Sequence, residues 1–371
     1  MEEFSCCSAW DECCIVGKCV NKDEEYKGAC NVANKLARGI NTLYKGSLIL
    51  LDGNSLLHRS YHAYPYMSSP AGVPTHAVFG TLKYLEKVLK RIQPTHLLFC
   101  FDASKKTFRN ELYPLYKANR KEAPEDLVPQ FELIRKVLKR FNIPYIEDEN
   151  VEADDLIGTI ARNAGGFMTK IVSSDKDMLQ LVNHRVNVLL VKNGGEHLEI
   201  TPDNILEKMG YNPWEVPELK ALSGDKSDNI PGVPGVGDMT ALKLLKEHGN
   251  LETVLENVAK IPGKLGEKIA AAIEDIRLFR TLATIKTDCD VSGFDKKSLE
   301  LNLEIVAGEM ELQRLGIRTI HLNTNPKKDW YKSAYEVSAE DIGNLFDKKP
   351  EPAKKLELAI EQKKYEQPSL F

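Results

Sequence analysis

Val151-Glu-Ala-Asp-Asp155, running straight into Leu156-Ile-Gly-Thr-Ile-Ala161, is the stretch on which the reading of this chain turns. The apolar run reads as one buried helix, so Glu152, Asp154 and Asp155 crowd its first turn. A helix N-terminus favours negative charge by only ~0.3–1 kcal/mol per group. Three carboxylates this close repel one another by more than that unless a cation joins them.

Outward from this point, other acids stand where apolar runs stop. Asp52 closes Leu48-Ile-Leu-Leu and Asp102 closes Leu97-Leu-Phe-Cys-Phe. Asp175 and Asp177 follow Ile171-Val-Ser-Ser, and Asp225 and Asp228 precede a Gly/Pro-rich loop. Strand ends that converge on one edge of a parallel sheet are where α/β proteins put their sites. All-carboxylate clusters suit hard ions such as Mg²⁺ or Mn²⁺. Two such ions can hold both the attacking and the leaving oxygen of a phosphodiester. One acid at a helix start is more often a cap than a ligand, but this series of acidic stations reads as a two-metal nuclease site.

The strands and helices around these acids alternate. Strands are expected at Ser47–Gly53, Thr95–Asp102, Pro144–Glu147, Lys170–Ser174, Asn187–Val191 and His197–Ile200, the last two joined by a Gly194-Gly195 turn. Helices are expected at His76–Ile92, Phe131–Phe141 and Val151–Ala164. That alternation predicts an α/β domain with a Rossmann-like, mostly parallel sheet, and beyond Pro202 the pattern becomes helical. Four segments follow: an extension over 1–46 with a weak helical stretch at Asn31–Leu43, a catalytic domain over 47–201, a helical DNA-binding subdomain over 202–323, and a charged linker and tail over 324–371.

Within the first domain, 104–127 interleaves Lys105, Lys106, Arg109, Lys117, Arg120 and Lys121 with Phe108, Tyr113 and Tyr116. Cations meet phosphates, and rings stack on bases for ~1–3 kcal/mol each, so this segment is expected to be a helical cover over the metal site. In 227–237, Gly232, Gly235 and Gly237 let the backbone approach a phosphate, and the helix that follows points its N–H groups at it. This is a helix–hairpin–helix pattern that grips duplex backbone without reading sequence. Ile261-Pro-Gly-Lys-Leu-Gly266 reads as a weaker second turn of the same kind.

Composition bounds the rest. The 371 residues are 42% hydrophobic and 28% charged, as in a soluble globular protein. No apolar run nears the ~18–20 residues that span a bilayer. Met1-Glu-Glu-Phe-Ser-Cys-Cys7 has neither the basic start nor the apolar core of a secretory signal, so the chain is expected to be cytoplasmic. A net charge of −4 does not exclude nucleic acid, because many acids belong to the proposed metal site. Six of the eight cysteines (Cys6, Cys7, Cys13, Cys14, Cys19, Cys30) lie in the extension without a recognised zinc spacing.

Six motifs occur in a familiar order: Leu51-Asp-Gly-Asn-Ser55, Phe101-Asp-Ala103 with Thr107-Phe-Arg109, Tyr116-Lys-Ala-Asn-Arg120, Val151-Glu-Ala-Asp-Asp155, Ser174-Asp-Lys-Asp-Met178 and Gly224-Asp-Lys-Ser-Asp-Asn-Ile-Pro-Gly232. Over roughly Ser47–Val291 the chain resembles the 5′ nuclease (flap endonuclease) superfamily, specifically the 5′–3′ exonuclease domain of bacterial DNA polymerase I. The resemblance implies a PIN-like fold and metal-assisted hydrolysis of DNA at 5′ flaps, nicks and gaps, and of RNA primer 5′ ends, in replication and repair. It implies that Asp52, Asp102, Glu152, Asp154 and Asp155 hold the first metal and the attacking water, and that Asp175, Asp177, Asp225 and Asp228 build the second site. Arg109, Lys117 and Arg120 are then arch residues clamping the phosphate to be cut, and the hairpin holds downstream duplex, often with a K⁺ ion on its carbonyls. The chain ends soon after the nuclease part, so a stand-alone form is expected.

The tail ends in Gln367-Pro-Ser-Leu370-Phe371, similar to the peptide with which bacterial replication proteins dock on the sliding clamp, with Pro368 where Leu is commoner. Two other readings compete: a related metal-dependent ribonuclease, and a non-catalytic binding protein on the same fold. The hairpin and arch favour DNA junctions over the first, and the full set of motif acids argues against the second.

Overall fold

The computed structural model describes residues 46–103, 106–192, 196–291 and 296–322. The cysteine-rich extension, Lys105, the Gly194-Gly195 turn and the Gln367, Leu370, Phe371 peptide lie outside these residues.

Six strands form one sheet: β1 Gly46–Asp52, β2 His96–Asp102, β3 Tyr145–Asp148, β4 Phe167–Ser173, β5 Val186–Val191 and β6 His197–Ile200, in the order β3-β2-β1-β4-β5-β6. The first five are parallel and β6 pairs antiparallel with β5. Both faces of β1 are covered, which is why it reads as an unbroken apolar run. Ile49 and Leu51 face a core built with helices α1 Gly53–Ala63, α2 His76–Ile92 and α4 Val128–Arg140. Leu48 and Leu50 face the opposite core, beneath α5 Ala153–Asn163. All four are fully buried, each stabilising the sheet by roughly 1.5–3 kcal/mol.

The chain builds outward from β1 to β2 and β3, then crosses to β4 and β5 on the other side. β1 is therefore a topological switch point, and a crevice opens at the C-terminal ends of β1, β2 and β4. Asp52, Asp102 and Ser174-Asp175 stand at those ends.

Two boundaries differ from the periodicity by three residues. α4 starts at Val128 rather than Phe131 because Pro129 falls in its first turn, where a missing N–H costs nothing. β4 starts at Phe167 rather than Lys170, since Phe167 and Met168 pair with Gly46 and Ser47 across β1.

The helices α6 Ile205–Met209, α7 Glu215–Ser223, α8 Asp238–His248, α9 Leu251–Glu256, α10 Gly263–Ala271 and α11 Ile273–Ala283 follow, and a third core joins α7 to α11. The helical subdomain is expected to reach residue 323, but the described residues from 285–291 and 296–322 pack against the cores of the sheet. Ile285 and Leu299 enter the core under α5, and Leu301, Leu312, Leu315, Ile317 and Leu322 enter the core of α2 and α4. Helix α12 Ile305–Arg314 lies so close to α4 that a Cβ on Gly308 would sit 2.2 Å from the Phe141 ring. No helix among the described residues is long and apolar enough to cross a membrane.

Candidate metal centre

Asp52 is both the last residue of β1 and the N-cap of α1. Its Oδ1 accepts from Ser55 N at 2.9 Å and its Oδ2 from Ser173 Oγ at 2.7 Å. Asp102 is fixed the same way: Oδ1 accepts from Ala153 N at 2.8 Å, Oδ2 from Asn54 Nδ2 at 2.9 Å, and Asp102 N donates back to Asn54. Asp175 caps the 3₁₀ turn Lys176–Leu181, accepting from Asp177 N at 2.9 Å. Asp154, in the first turn of α5, accepts no hydrogen bond among the described residues. These four line one groove of about 1730 Å³, together with Glu152, Asp177, Lys117, Arg120 and Lys220.

Burial pushes the Asp52 carboxyl up to about 7, and Asp102 and Asp175 add to the effect. Burial likewise lifts Asp154 well above the carboxylate range, with Asp52 and Asp175 reinforcing it. The cluster is short of positive charge.

Asp177 lines the groove as well, and Asp177, Asp225 and Asp228 each turn one oxygen to within 4.8 Å of the others. Asp225 pairs with Lys220 of α7 and accepts from Ser227 N at 2.7 Å. Burial alone would raise Asp225, but Lys220 and Ser227 outweigh it and hold it at about 2. Asp177 is instead raised to about 7, by burial and then by Asp175, despite the Lys220 ammonium beside it. Its Oδ1 is buried and accepts no hydrogen bond of normal geometry. Three carboxylate oxygens turned toward one another, an all-oxygen donor set and protonation-prone acids together fit a hard divalent cation. Asp52, Asp102, Asp154 and Asp175 could hold one such ion, and Asp177, Asp225 and Asp228 another.

Two expected site residues lie behind this groove. Arg109 is 2% exposed and Asp155 fully buried, joined by two parallel hydrogen bonds of 2.7 and 2.8 Å. Arg109 also donates to the Leu282 and Thr284 carbonyls, while Asp155 accepts from Lys286 N and Glu152 N. The pair therefore rivets α5 to the end of α11 and the chain just after it, and neither residue lines the groove. The family resemblance and the crowding of three acids in one turn both point to Asp155 as a ligand. As the third residue of the helix, it turns back to close a capping box with Glu152.

The arch is also reshaped. Helix α3 is only Phe108–Leu112, because Pro114 disfavours helical backbone just before it. Turns follow, and residues 115–120 dock on 226–229: Lys117 N donates to Asp228 O, Asn119 Nδ2 to Lys226 O, Arg120 Nε to Ser227 O and Asn229 Nδ2 to Leu115 O. Tyr116, expected to stack on a base, is 3% exposed and donates its hydroxyl toward Glu152 and Asp228. Lys117, held at φ 56°, pairs with Glu152 at 2.6 Å, and Arg120 with Asp228 at 2.7 Å. Lys106 is exposed.

In the hairpin, Gly235 and Gly237 are exposed while Gly232 is buried. Gly232 has φ +63°, and a Cβ there would lie 2.3 Å from Gly224 N. Its role is to let two backbone strands of the loop touch. Sequence reasoning missed Lys220, Asn54, Ser55 and Ser173. Ser173-Ser174 follows an apolar run directly and Asn54-Ser55 comes two residues after one, so both carry a readable signal as orienting groups. Lys220 has none, since only packing decides which face of α7 meets Asp177.

Comparison with known proteins follows the same division. Residues 47–210 match the family "5′-3′ exonuclease, N-terminal resolvase-like domain" and residues 211–304 match "5′-3′ exonuclease, C-terminal SAM fold". DNA polymerase I of Bacillus caldotenax is 42% identical over 271 residues, covering 72% of this chain and 30% of that protein. DNA polymerase I of Bacillus subtilis strain 168 is 39% identical over 282 residues, covering 72% and 32%. The chain thus spans about a third of these relatives. Among solved structures, zinc-bound T5 5′-exonuclease aligns with TM-score 0.55 at 23% identity, over 72% of this chain and 98% of that one. A bacteriophage T5 flap endonuclease in a pseudo-enzyme-product complex with DNA and metal ions gives 0.56 at 22%, with the same coverage. Both share the fold.

Proposed function

The chain belongs to the 5′-3′ exonuclease family, and from that premise we propose that it hydrolyses DNA phosphodiesters at 5′ flaps, nicks and gaps, and at RNA primer 5′ ends. The observation that carries this reading is the groove itself, which places Asp52, Asp102, Asp154 and Asp175 beside Asp177 and, with Asp225 and Asp228 just behind it, offers two carboxylate sets to one phosphodiester. Mg²⁺ or Mn²⁺ bound to them would supply an activated water and stabilise the leaving oxygen.

The chain's own groups do the rest. Ser55 N, Ser173 and Asn54 fix the carboxylates before substrate arrives, so no reorganisation is needed in the transition state. Lys117 and Arg120 line the groove and would meet the phosphate under attack. Exposed Gly235 and Gly237, ahead of the α8 N-terminus, would let duplex backbone approach, and a K⁺ ion would sit on carbonyls of that loop, where the Pro234 carbonyl already accepts from Lys268 at 2.8 Å. The cytoplasm is the setting that suits this substrate, and the Gln367-Leu370-Phe371 peptide is a sliding-clamp contact whose deletion should abolish clamp binding and spare flap cleavage.

The test is cleavage of a 5′-labelled flap with Mg²⁺. Wild type should release short products cut at the junction, and Asp175→Asn should slow this by ~10²-fold or more. A wild type that binds the flap without cutting it would make this a binding protein, and an unimpaired variant would refute the site.

A further inference from the structure

Lys220 places its ammonium between Asp177 and Asp225 and forms an ion pair with each. The same carboxylates, with Asp228, bring their oxygens within 4.8 Å of one another. Asp177 Oδ1, buried and without a hydrogen bond of normal geometry, has this ammonium as its partner. The ammonium thus stands where a dication joining Asp177 to Asp225 would have to stand. Two cations cannot share that gap, because like charges in contact at a half-buried site repel strongly. Lys220 is not sealed in: its side chain is 19% exposed and lines the groove. Its four-carbon stem can swing the charge toward the groove while α7 stays in place.

We propose that Lys220 is an exchangeable counter-ion for the second metal position. It holds Asp177 and Asp225 together against their mutual repulsion when no dication is bound, and it leaves the gap for the groove when one enters. Lys220 is then a positioning residue that sets the affinity of this position by competing for it. Charge balance explains why a lysine suits the place: one ammonium offsets part of the charge of three carboxylates, so a dication gains by replacing it. This inference rests on the reading of these acids as divalent-ion ligands.

The probe is Mn²⁺, titrated calorimetrically at pH 8 into the full chain and into Lys220→Met. Removing the ammonium removes the competitor, so the weaker Mn²⁺ position should tighten by between about 5- and 150-fold, the usual span for coupled binding. Lys220→Arg, whose fork can grip both carboxylates, should not tighten it. Because Lys220→Met could fold poorly, wild type supplies an independent readout. Lysine acetylation followed by peptide mass spectrometry should find Lys220 protected in chelator and modified several-fold faster with Mn²⁺. If wild type binds Mn²⁺ while Lys220 stays protected and Lys220→Met binds no more tightly, Lys220 is a fixed structural pair and the proposal fails alone. If wild type takes up no Mn²⁺, the metal reading fails and takes this inference with it.

Discussion

A guanidinium at 2% exposure cannot shed its charge, so Arg109 must be matched inside the protein, and Asp155 matches it. Removing one partner strands the other's charge in a dry site, at a cost of about 3–5 kcal/mol. Arg109→Met should therefore lower the urea midpoint sharply. Arg120 is the contrasting case: its side chain is 49% exposed in its pair with Asp228. Such a pair contributes about 0–1 kcal/mol, so Arg120→Ala should leave the midpoint nearly unchanged and slow flap cleavage. Equal midpoints for the two variants would show that Arg109 is not the rivet described here. In sequence the two arginines look alike, both lying in a segment that interleaves cations with aromatics. Burial depends on Leu282, Thr284 and Asp155, distant along the chain, so local composition could not separate them.

Between the elements, the loop from Gly224 to Gly237 carries two kinds of glycine. Gly232 combines a left-handed backbone with contact against Gly224, whereas Gly237 has extended φ and no atom within 4 Å of a built Cβ. Gly232→Ala should destabilise the chain by more than the ~1 kcal/mol typical of a left-handed glycine alone. Gly237→Ala should melt as wild type does, yet weaken duplex binding if backbone meets phosphate there. Melting curves and a filter-binding titration distinguish these outcomes, and wild-type duplex affinity in Gly237→Ala would remove this residue from the interface. Much at this scale was legible in advance. Acids closing apolar runs marked the ends of β1 and β2, and helical periodicity located α2. Pro114 marks the truncation of α3 locally; what escaped was decided at a distance, the return of α12 to the Phe141 ring, whose sequence shows a helix without showing its partner.

At the level of the whole molecule, acids from the sheet and from the helical unit's border meet in one groove, and that concentration has a thermodynamic signature. Asp52 and Asp177 are raised to about 7, burial being the main cause. Unfolded, they would titrate near their ordinary range, so between about pH 4 and 7 the folded chain binds protons that the unfolded chain has released. Stability then falls as pH rises through that window and stays low above it. His96 and His197, which burial holds below their usual range, act in the opposite sense below about pH 6.5. The diagnostic is therefore a comparison in which those histidines are shared, wild type against Asp177→Asn. In chelator at pH 8, the amide should be the more stable by thermal melting, since it removes a carboxylate that burial disfavours when ionised. At pH 5.5, where wild-type Asp177 carries its proton, the gap should close. Mg²⁺ at pH 8 should raise the wild-type midpoint more than the variant's, because an ion that binds only the folded chain stabilises it by mass action. At pH 5.5 that gain should shrink as protons compete for the ligands. A gap independent of both pH and Mg²⁺ would mean that Asp177 is an ordinary paired acid and that the charge shortage of this groove lies elsewhere.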